Sequence, residues 1–397
     1  MSPQSKSRKK KQGKAPGRRP EQQSPYGALL ESAAVLRSES WLLADAWASE
    51  VVASLWLGSW RFPEPAEAFE SEHGKLVAGV LRAGGEAALT ALRALSGVSS
   101  GEAAVEAAET LAAQGVAEPS WFVAGAALEF REAFLVTNLL GDVEVVAVTQ
   151  ERAGAVETVL FMRQPVLGAT AIELFATPDE GTTALLEDMI SSAPGAFRDR
   201  ITPMSAEEAF SRVWPDIELF WNEEPDEEAE AGLLDDDEEA RHPIQLMALA
   251  EARVRALVPD DYEIPERPDR TDEVVEAFLA SEHATALPDA ELARALARVL
   301  AGEATDQDRD PVAYGPASLT GVLILAVAAR LHVSDEDLAL LPDVVRAWAY
   351  FTADARDLPR EEARAAWDAE LPTVLAEFSE AYADPELEAE RDGQLRG

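Results

Sequence analysis

Apolar side chains recur every three or four residues through most of this chain, the spacing that gathers them on one face of a helix. Near the start, Leu29, Leu30, Ala33 and Leu36 fall at that spacing, and so do Trp47, Val51 and Leu55. "PEPAEAF" at 63–69 interrupts the pattern. Leu89, Leu92 and Leu95 then mark a helix that ends at Gly97. Ser100 suits an N-cap for the next helix, over Glu102 to Gln114, with Val105, Ala108 and Leu111 inward and Gly115 as its stop.

Between residues 130 and 202 the period falls to two. "AFLVTN", "VEVVAVTQ", "VETVLFMR" and "TAIELFAT" are short, alternating and rich in β-branched and aromatic residues. The gaps between them are Leu139 to Asp142, Glu151 to Ala155 and Gln164 to Ala169. Gaps of that length make hairpins, not crossover helices, so the strands form an antiparallel meander. A helix near 182–191 follows, and "FRDRIT" adds an edge strand. Ser205 and Glu208 form a capping box for a helix with Phe210 and Val213 inward, which Pro215 is expected to break. A further helix resumes near Ile244, with Leu246, Leu249, Val254 and Leu257 apolar.

The three prolines of "PDDYEIPERPDR" mark a linker at 259–270. Everything after it is helical in pattern: Val275–Phe278–Leu279, Leu292–Leu296–Val299, Leu319–Leu323–Val327 and Val345–Trp348–Phe351, with Ser334 and Asp337 resembling another cap. The expected fold is therefore α+β: a helical N-terminal part with a small antiparallel β-meander, then a separate all-helical C-terminal part. The expected units are a disordered basic tail at 1–25, a domain at 26–258 with an acidic loop at 223–239, the linker, and a helical domain at 271–397.

Composition narrows the chemistry. The 397 residues contain no cysteine, which excludes disulfides, thiolate metal sites and cysteine nucleophiles and fits a reducing compartment. The first 20 residues hold eight Lys or Arg and no acid. Beyond them, 26 basic residues face 74 acidic ones, a net charge of −48. Such a body repels nucleic acid and anionic membrane, and neither specific nucleic acid nor membrane is an expected partner. The longest apolar run, "GVLILAVAA" at 321–329, is about half of the ~20 residues needed to span a bilayer. Asp45 and Glu50 interrupt the Trp-rich stretch 41–60. No apolar segment follows the basic tail as an export signal requires, so the chain reads as cytoplasmic.

Candidate catalytic and metal motifs are incomplete. "GVSSG" at 97–101 matches the nucleophile elbow, but that motif needs a strand before the serine, and here a helix precedes Ser99. Glu70-x-x-His73 and Glu239-x-x-His242 match the element that di-iron bundles place on long facing helices, yet Gly74 and Pro243 put both at expected breaks. The run 223–239 carries eleven carboxylates but lacks the alternating ligands and central glycine of a calcium loop. His283 and His332 fall near helix ends without a catalytic partner nearby in sequence. No phosphate-binding glycine loop or dinucleotide fingerprint is present.

The order of elements resembles a family of uncharacterised actinobacterial proteins without an assigned activity. The resemblance lies in "LLADAWASEVVASLW", "ALTALRALSGV", "AAETLAAQGVAEPSW", the meander from Gly141, and "LPDVVRAWAYF" with "RDLP" shortly after. It implies a polar Asp-His-Asn cluster after the third strand and a Lys-Asp pair just beyond. At the matching place this chain reads Met162, Arg163, Gln164 and Pro165, and Thr170 to Glu173 offer no Lys-Asp. No functional residue carries over.

The sequence thus assigns no catalytic, cofactor-binding or metal-ligating residue, and no cofactor. The first expectation is a non-catalytic cytoplasmic interaction or regulatory protein with a protein partner of unidentified kind. The alternative is a hydrolase-like enzyme using clustered carboxylates in a cleft between the sheet and the helices. Ser99 is expected to be inert: a fluorophosphonate serine probe leaves the protein unlabelled. Stoichiometric labelling that disappears in Ser99→Ala would reverse this reading.

Overall fold

The computed structural model describes residues 26–98, 102–164, 171–178, 181–193, 197–198, 200–222, 224–225, 243–307 and 309–396. Helices α1 (Gly27–Val35), α2 (Trp41–Ser59), α3 (Pro65–Ala83), α4 (Gly85–Val98) and α5 (Glu102–Ala113) precede the sheet. Strands β1 (Glu129–Thr137), β2 (Glu144–Arg152), β3 (Ala155–Arg163) and β4 (Ala171–Thr177) form the antiparallel meander. After α6 (Thr182–Ser192), the short β5 (Thr202–Met204) pairs with β1, giving the order β4-β3-β2-β1-β5. The fold is α+β. The expected edge strand exists, but it starts at the last residue of "FRDRIT". Ala153 and Gly154 both have positive φ, 53° and 85°, the two-residue turn whose twist matches paired strands.

Alternation decides what each face of the sheet meets. On β2, Val146 and Val148 join the core shared with α2 and α8 (Pro243–Arg255), while Val145 and Ala147 pack with Leu186 of α6. Both faces are covered, which explains why β2 is buried along almost its whole length. At the ends of the helix-facing stripe the residues turn polar: Gln150 and Arg152 at one end of β2, Glu144 at the other. β3 places Glu157 opposite Gln150 and Arg163 opposite Glu144.

Several expectations change in three dimensions. α7 (Ala206–Asn222) runs through Pro215 without breaking. One proline removes a single helix hydrogen bond. Burial of Phe210, Val213 and Ile217 on the core, with Asp216 held by Nε and Nη2 of Arg163, offsets that loss. Likewise α3 continues past Gly74, so Glu70 and His73 lie within a helix and not at a break. Val105 faces solvent, and α5 instead buries Ala104, Ala107, Ala108 and Leu111, small side chains that allow close helix approach. The capping box of Ser205 and Glu208 forms in both directions, at 3.1 and 2.7 Å, and Ser334 accepts from the Asp337 amide. Ser99, Ser100, Glu239, His242 and nearly all of the acidic run lie outside the described residues.

Gly97 also has a different role from a helix stop. It lies inside α4, and a Cβ there would sit 2.5 Å from Oδ1 of Asp45. Glycine is required because the Asp45 carboxylate occupies the side-chain position.

The C-terminal part consists of α9 (Thr271–Ala280), α10 (Glu282–Thr285), α11 (Ala290–Asp306), α12 (Pro316–Val322), α13 (Asp335–Ala355), α14 (Arg360–Ala383) and α15 (Pro385–Glu390), plus a two-residue parallel pairing of 331–332 with 393–394. "GVLILAVAA" continues α12 as a π-helical turn inside this core. Among the described residues no helix is long and apolar enough to cross a membrane. Leu140, at the β1–β2 hairpin tip, belongs to the C-terminal core. Beside it, Asp142 accepts from the Ala317 amide at the start of α12, at 2.9 Å, and Arg356 donates to the carbonyls of Leu140 and Tyr314. Burial pushes the Asp142 carboxyl up and draws Arg356 down to about 10.

Two glycine substitutions separate these roles. Gly97→Ala destabilises the protein by about 1–3 kcal/mol through the clash at Asp45. Gly74→Ala meets nothing within 4 Å and stabilises by about 0.5–1 kcal/mol through helix propensity. Urea denaturation of both variants checks this, and equal effects would contradict it.

Candidate functional site

Two ion networks hold helices to the sheet. In the first, Asp45 of α2 is fully buried and contacts Arg253 of α8 at 2.7 Å and Arg152 of β2 at 3.0 Å. Arg253 also pairs with Glu157 of β3, and Gln150 donates to its carbonyl at 3.0 Å. The face of Trp41 covers Arg152, 4.4 Å from the ring centroid. Burial disfavours the charge on Arg253, but the Asp45 and Glu157 carboxylates outweigh it and raise its pKa. In the second network, Arg163 grips Asp216 at 2.7 and 2.8 Å and reaches Glu144 at 3.1 Å, while Arg212 bonds Glu144 at 2.6 Å. Desolvation pushes the Asp216 carboxyl up against the pull of Arg163. Arg163 is one of the residues that stand where the family resemblance implied an Asp-His-Asn cluster.

Asp45, Glu157, Glu144 and Asp216 are the buried carboxylates of these two networks among the described residues. Each is tied to at least one guanidinium, and all four are buried. They are arranged as counterions to Arg152, Arg253, Arg163 and Arg212.

A cleft of about 470 Å³ opens elsewhere, among α2, α3, α7 and α8. Helical spacing supplies its walls. On α2, Val52, Trp56, Ser59 and Trp60 share one face; on α3, Ala66, Phe69, Glu70 and His73 do the same. α8 contributes Ala248, Glu251 and Arg255, and the end of α7 contributes Trp221. Pro65 begins α3 at a position where its missing amide costs no hydrogen bond, so the helix starts just after the α2 turn and brings Phe69 back toward Trp56.

The aromatic rings meet edge to face. Trp56 lies 5.9 Å from Trp60 at 81° and 5.4 Å from Trp221 at 82°, and it stacks on Phe220 at 5.0 Å. Phe69 and His73 are nearly parallel at 6.1 Å. Three buried ring nitrogens of cleft-lining residues have no hydrogen-bond partner among the described residues: Nε1 of Trp60, Nε1 of Trp221 and Nε2 of His73. Burial holds the His73 imidazole below its usual pKa, against the opposing pull of Glu70. His73 is therefore neutral at pH 7.

Sequence reasoning weighed Glu70 and His73 as an incomplete metal motif and assigned neither of them a ligand role. The structure places both on an aromatic cleft instead. The tryptophans are buried or half-buried, and three of them form this wall. The signal was present as aromatic pairs four residues apart, Trp56 with Trp60 and Phe69 with His73, but the sequence does not say that the pairs face each other.

Other candidates resolve into structure. His283, which has no catalytic partner nearby in sequence, bonds Asp354 at 2.9 Å across 71 positions. With Glu282 their ligand atoms fall within 4.8 Å, but Arg360 bonds both Asp354 and Glu282 and supplies the positive charge there. His332 is exposed on the short parallel pairing. A second cleft, about 530 Å³, lies between the start of α2 and the edge strand β4. None of the unpartnered buried polar atoms belongs to its lining.

Comparison with known proteins finds no match: no family model, no curated protein and no solved structure matches this chain. The cleft must be read from its own chemistry.

His73 gives the site a pH signature. Its folded pKa lies below its unfolded value, so between those two values the unfolded state binds more protons. Stability then falls as pH drops below about 6.5. Thermal melts from pH 7.5 to 5 show a steeper loss for the wild type than for His73→Leu. Parallel profiles would contradict this.

Proposed function

We propose that the protein is a non-catalytic binding protein, regulatory or adaptor in role, that takes an apolar ligand in the cleft between α2, α3, α7 and α8. One observation carries the reading: an aromatic-walled cleft of about 470 Å³ among four helices, with Ser59, Glu70, Glu251 and Arg255 in its lining. Small-molecule sites occupy about 300–1,000 Å³, are mostly apolar, and orient the ligand with a few polar groups. This cleft has each of those properties. The arginine-bound state of Asp45, Glu157, Glu144 and Asp216 supports binding over catalysis, because a general acid or base must reach the proton it transfers. We assign the action to the cytoplasm, with a protein partner downstream of the ligand and without nucleic acid, in keeping with the charge of the body.

The neutral fluorophore N-phenyl-1-naphthylamine tests this. It binds the full-length protein saturably, at one site per chain, and quenches tryptophan emission. Ala66→Trp fills the cleft from an exposed position on α3 and abolishes that binding without altering the circular dichroism spectrum. Unsaturable binding, or equal binding to the filled variant, would refute the reading.

A further inference from the structure

The sheet ends differently on its two sides. On one, β5 is three residues long with Pro203 at its centre, and a proline donates nothing to a further strand. On the other, β4 runs for seven residues, "AIELFAT", without proline, lysine or arginine. It pairs with β3, and no other hydrogen bond to its backbone forms among the described residues. In a strand paired on one side, every second residue turns its N–H and C=O outward. β4 therefore presents an open ladder, which native sheets ordinarily blunt.

The cleft of about 530 Å³ follows this edge. Leu174 belongs to the core beneath the helices, while Phe175 is paired with Leu160 on the side of α6. All three line the cleft, together with Leu43 of α2 and Leu185 of α6. Residues from opposite faces of one strand share a space around its free edge. Leu43 and Phe175 are 47% and 45% exposed there, large apolar side chains left to solvent on either side of the open ladder.

Backbone and charge together name the occupant. A compact apolar molecule fills the space but leaves the ladder unanswered. Another extended backbone, about 4.8 Å away, answers it, and its alternate side chains reach Leu43 on one side and Phe175 on the other. Residues 171–197, which supply β4 and α6, hold five acids and no Lys or Arg. A second copy of a chain with net charge −40 brings like charge to that edge. A strand carrying Lys or Arg brings the opposite charge, which is favourable across a ladder.

We infer that β4 is the docking edge for a partner protein: an extended segment of about seven residues, apolar at alternate positions with Lys or Arg between them, adds to the sheet as its sixth strand. This edge shares no lining residue with the aromatic cleft, so the inference is independent of ligand binding there.

The probe is a fluorescein-labelled peptide, Lys-Val-Thr-Val-Lys-Val-Thr-Val-Lys, titrated into the full-length protein at ~0.15 M salt and followed by anisotropy. It binds saturably. A peptide of the same composition with its four valines consecutive binds at least tenfold more weakly, which separates strand addition from attraction to the chain's charge. N-methylation removes backbone donors from one edge of the probe at a time. Methylating one alternate set of residues weakens binding at least tenfold, and methylating the other changes it less than threefold. Phe175→Lys, at an exposed position, weakens the probe at least fivefold with the circular dichroism spectrum unchanged. On the protein side, alternate amides of β4 exchange hydrogen at least tenfold more slowly with the peptide bound. Absence of saturable binding, equal binding of the consecutive-valine peptide, equal effects of the two methylated sets, or unchanged exchange in β4 overturns the inference. So does a dimer of the peptide-free protein that Phe175→Lys dissociates, since a second copy would then cover the edge.

Discussion

Asp45 is the constraint from which the N-terminal part is built. A carboxylate with no exposed surface is tolerated only when its charge is answered, and here Arg253 and Arg152 answer it from a second helix and from the sheet. Glu157 pairs with Arg253 as well, so two negative and two positive charges close on one another. Removing one partner from such a set costs about 3–5 kcal/mol, because the others stay buried without compensation. An exposed pair such as Arg346 with Asp343 is worth about 0–1 kcal/mol. The buried network, and not the many surface pairs, therefore dictates how α2 and α8 sit on the sheet. Even Gly97 follows from it, since a side chain there would displace the carboxylate.

The same stripe of α2 leads from this network to the cleft. Asp45, Ser49, Val52, Trp56 and Ser59 follow one another at helical spacing, and Trp56 lies about 16 Å along the axis from Asp45. Midway, the Ser49 hydroxyl accepts from the Leu249 amide of α8 at 3.1 Å. α8 is thus fastened to α2 at two levels before the helices reach the aromatic wall. On α8, Glu251 and Arg255 sit two residues either side of Arg253, which turns them to the opposite face of the helix. The position of the cleft walls is a consequence of where the buried charges lock. A rigid, pre-formed wall of large rings suits recognition, because little side-chain freedom is lost when a ligand enters.

Much of the fold was legible from local pattern. The shift from a period of three or four to a period of two locates the meander, and Ser205 with Glu208 and Ser334 with Asp337 mark helix starts that form as expected. Local rules failed where tertiary contacts outweighed them. Pro215 was read as a break, but packing of Val213 and Ile217 and the grip of Arg163 on Asp216 carry the helix past it. Gly97 was read as a stop, but its space belongs to Asp45, fifty-two positions away. The cleft was the least legible feature. Its walls come from helices spread over some two hundred residues, and Glu70 with His73 was legible only as an incomplete metal motif, because that spacing is local while the aromatic enclosure is not.

The central claim is that a neutral apolar ligand enters the aromatic cleft between α2, α3, α7 and α8. Nuclear magnetic resonance of the assigned tryptophan indole N–H groups, recorded during titration with a neutral aromatic ketone, tests it most directly. The expected result is that the Trp60 and Trp221 signals shift and saturate together, while Trp348 and Trp367, sealed in the C-terminal core, stay in place. Signals of Trp60 and Trp221 that remain fixed, or shifts spread evenly over all the indoles, would contradict it.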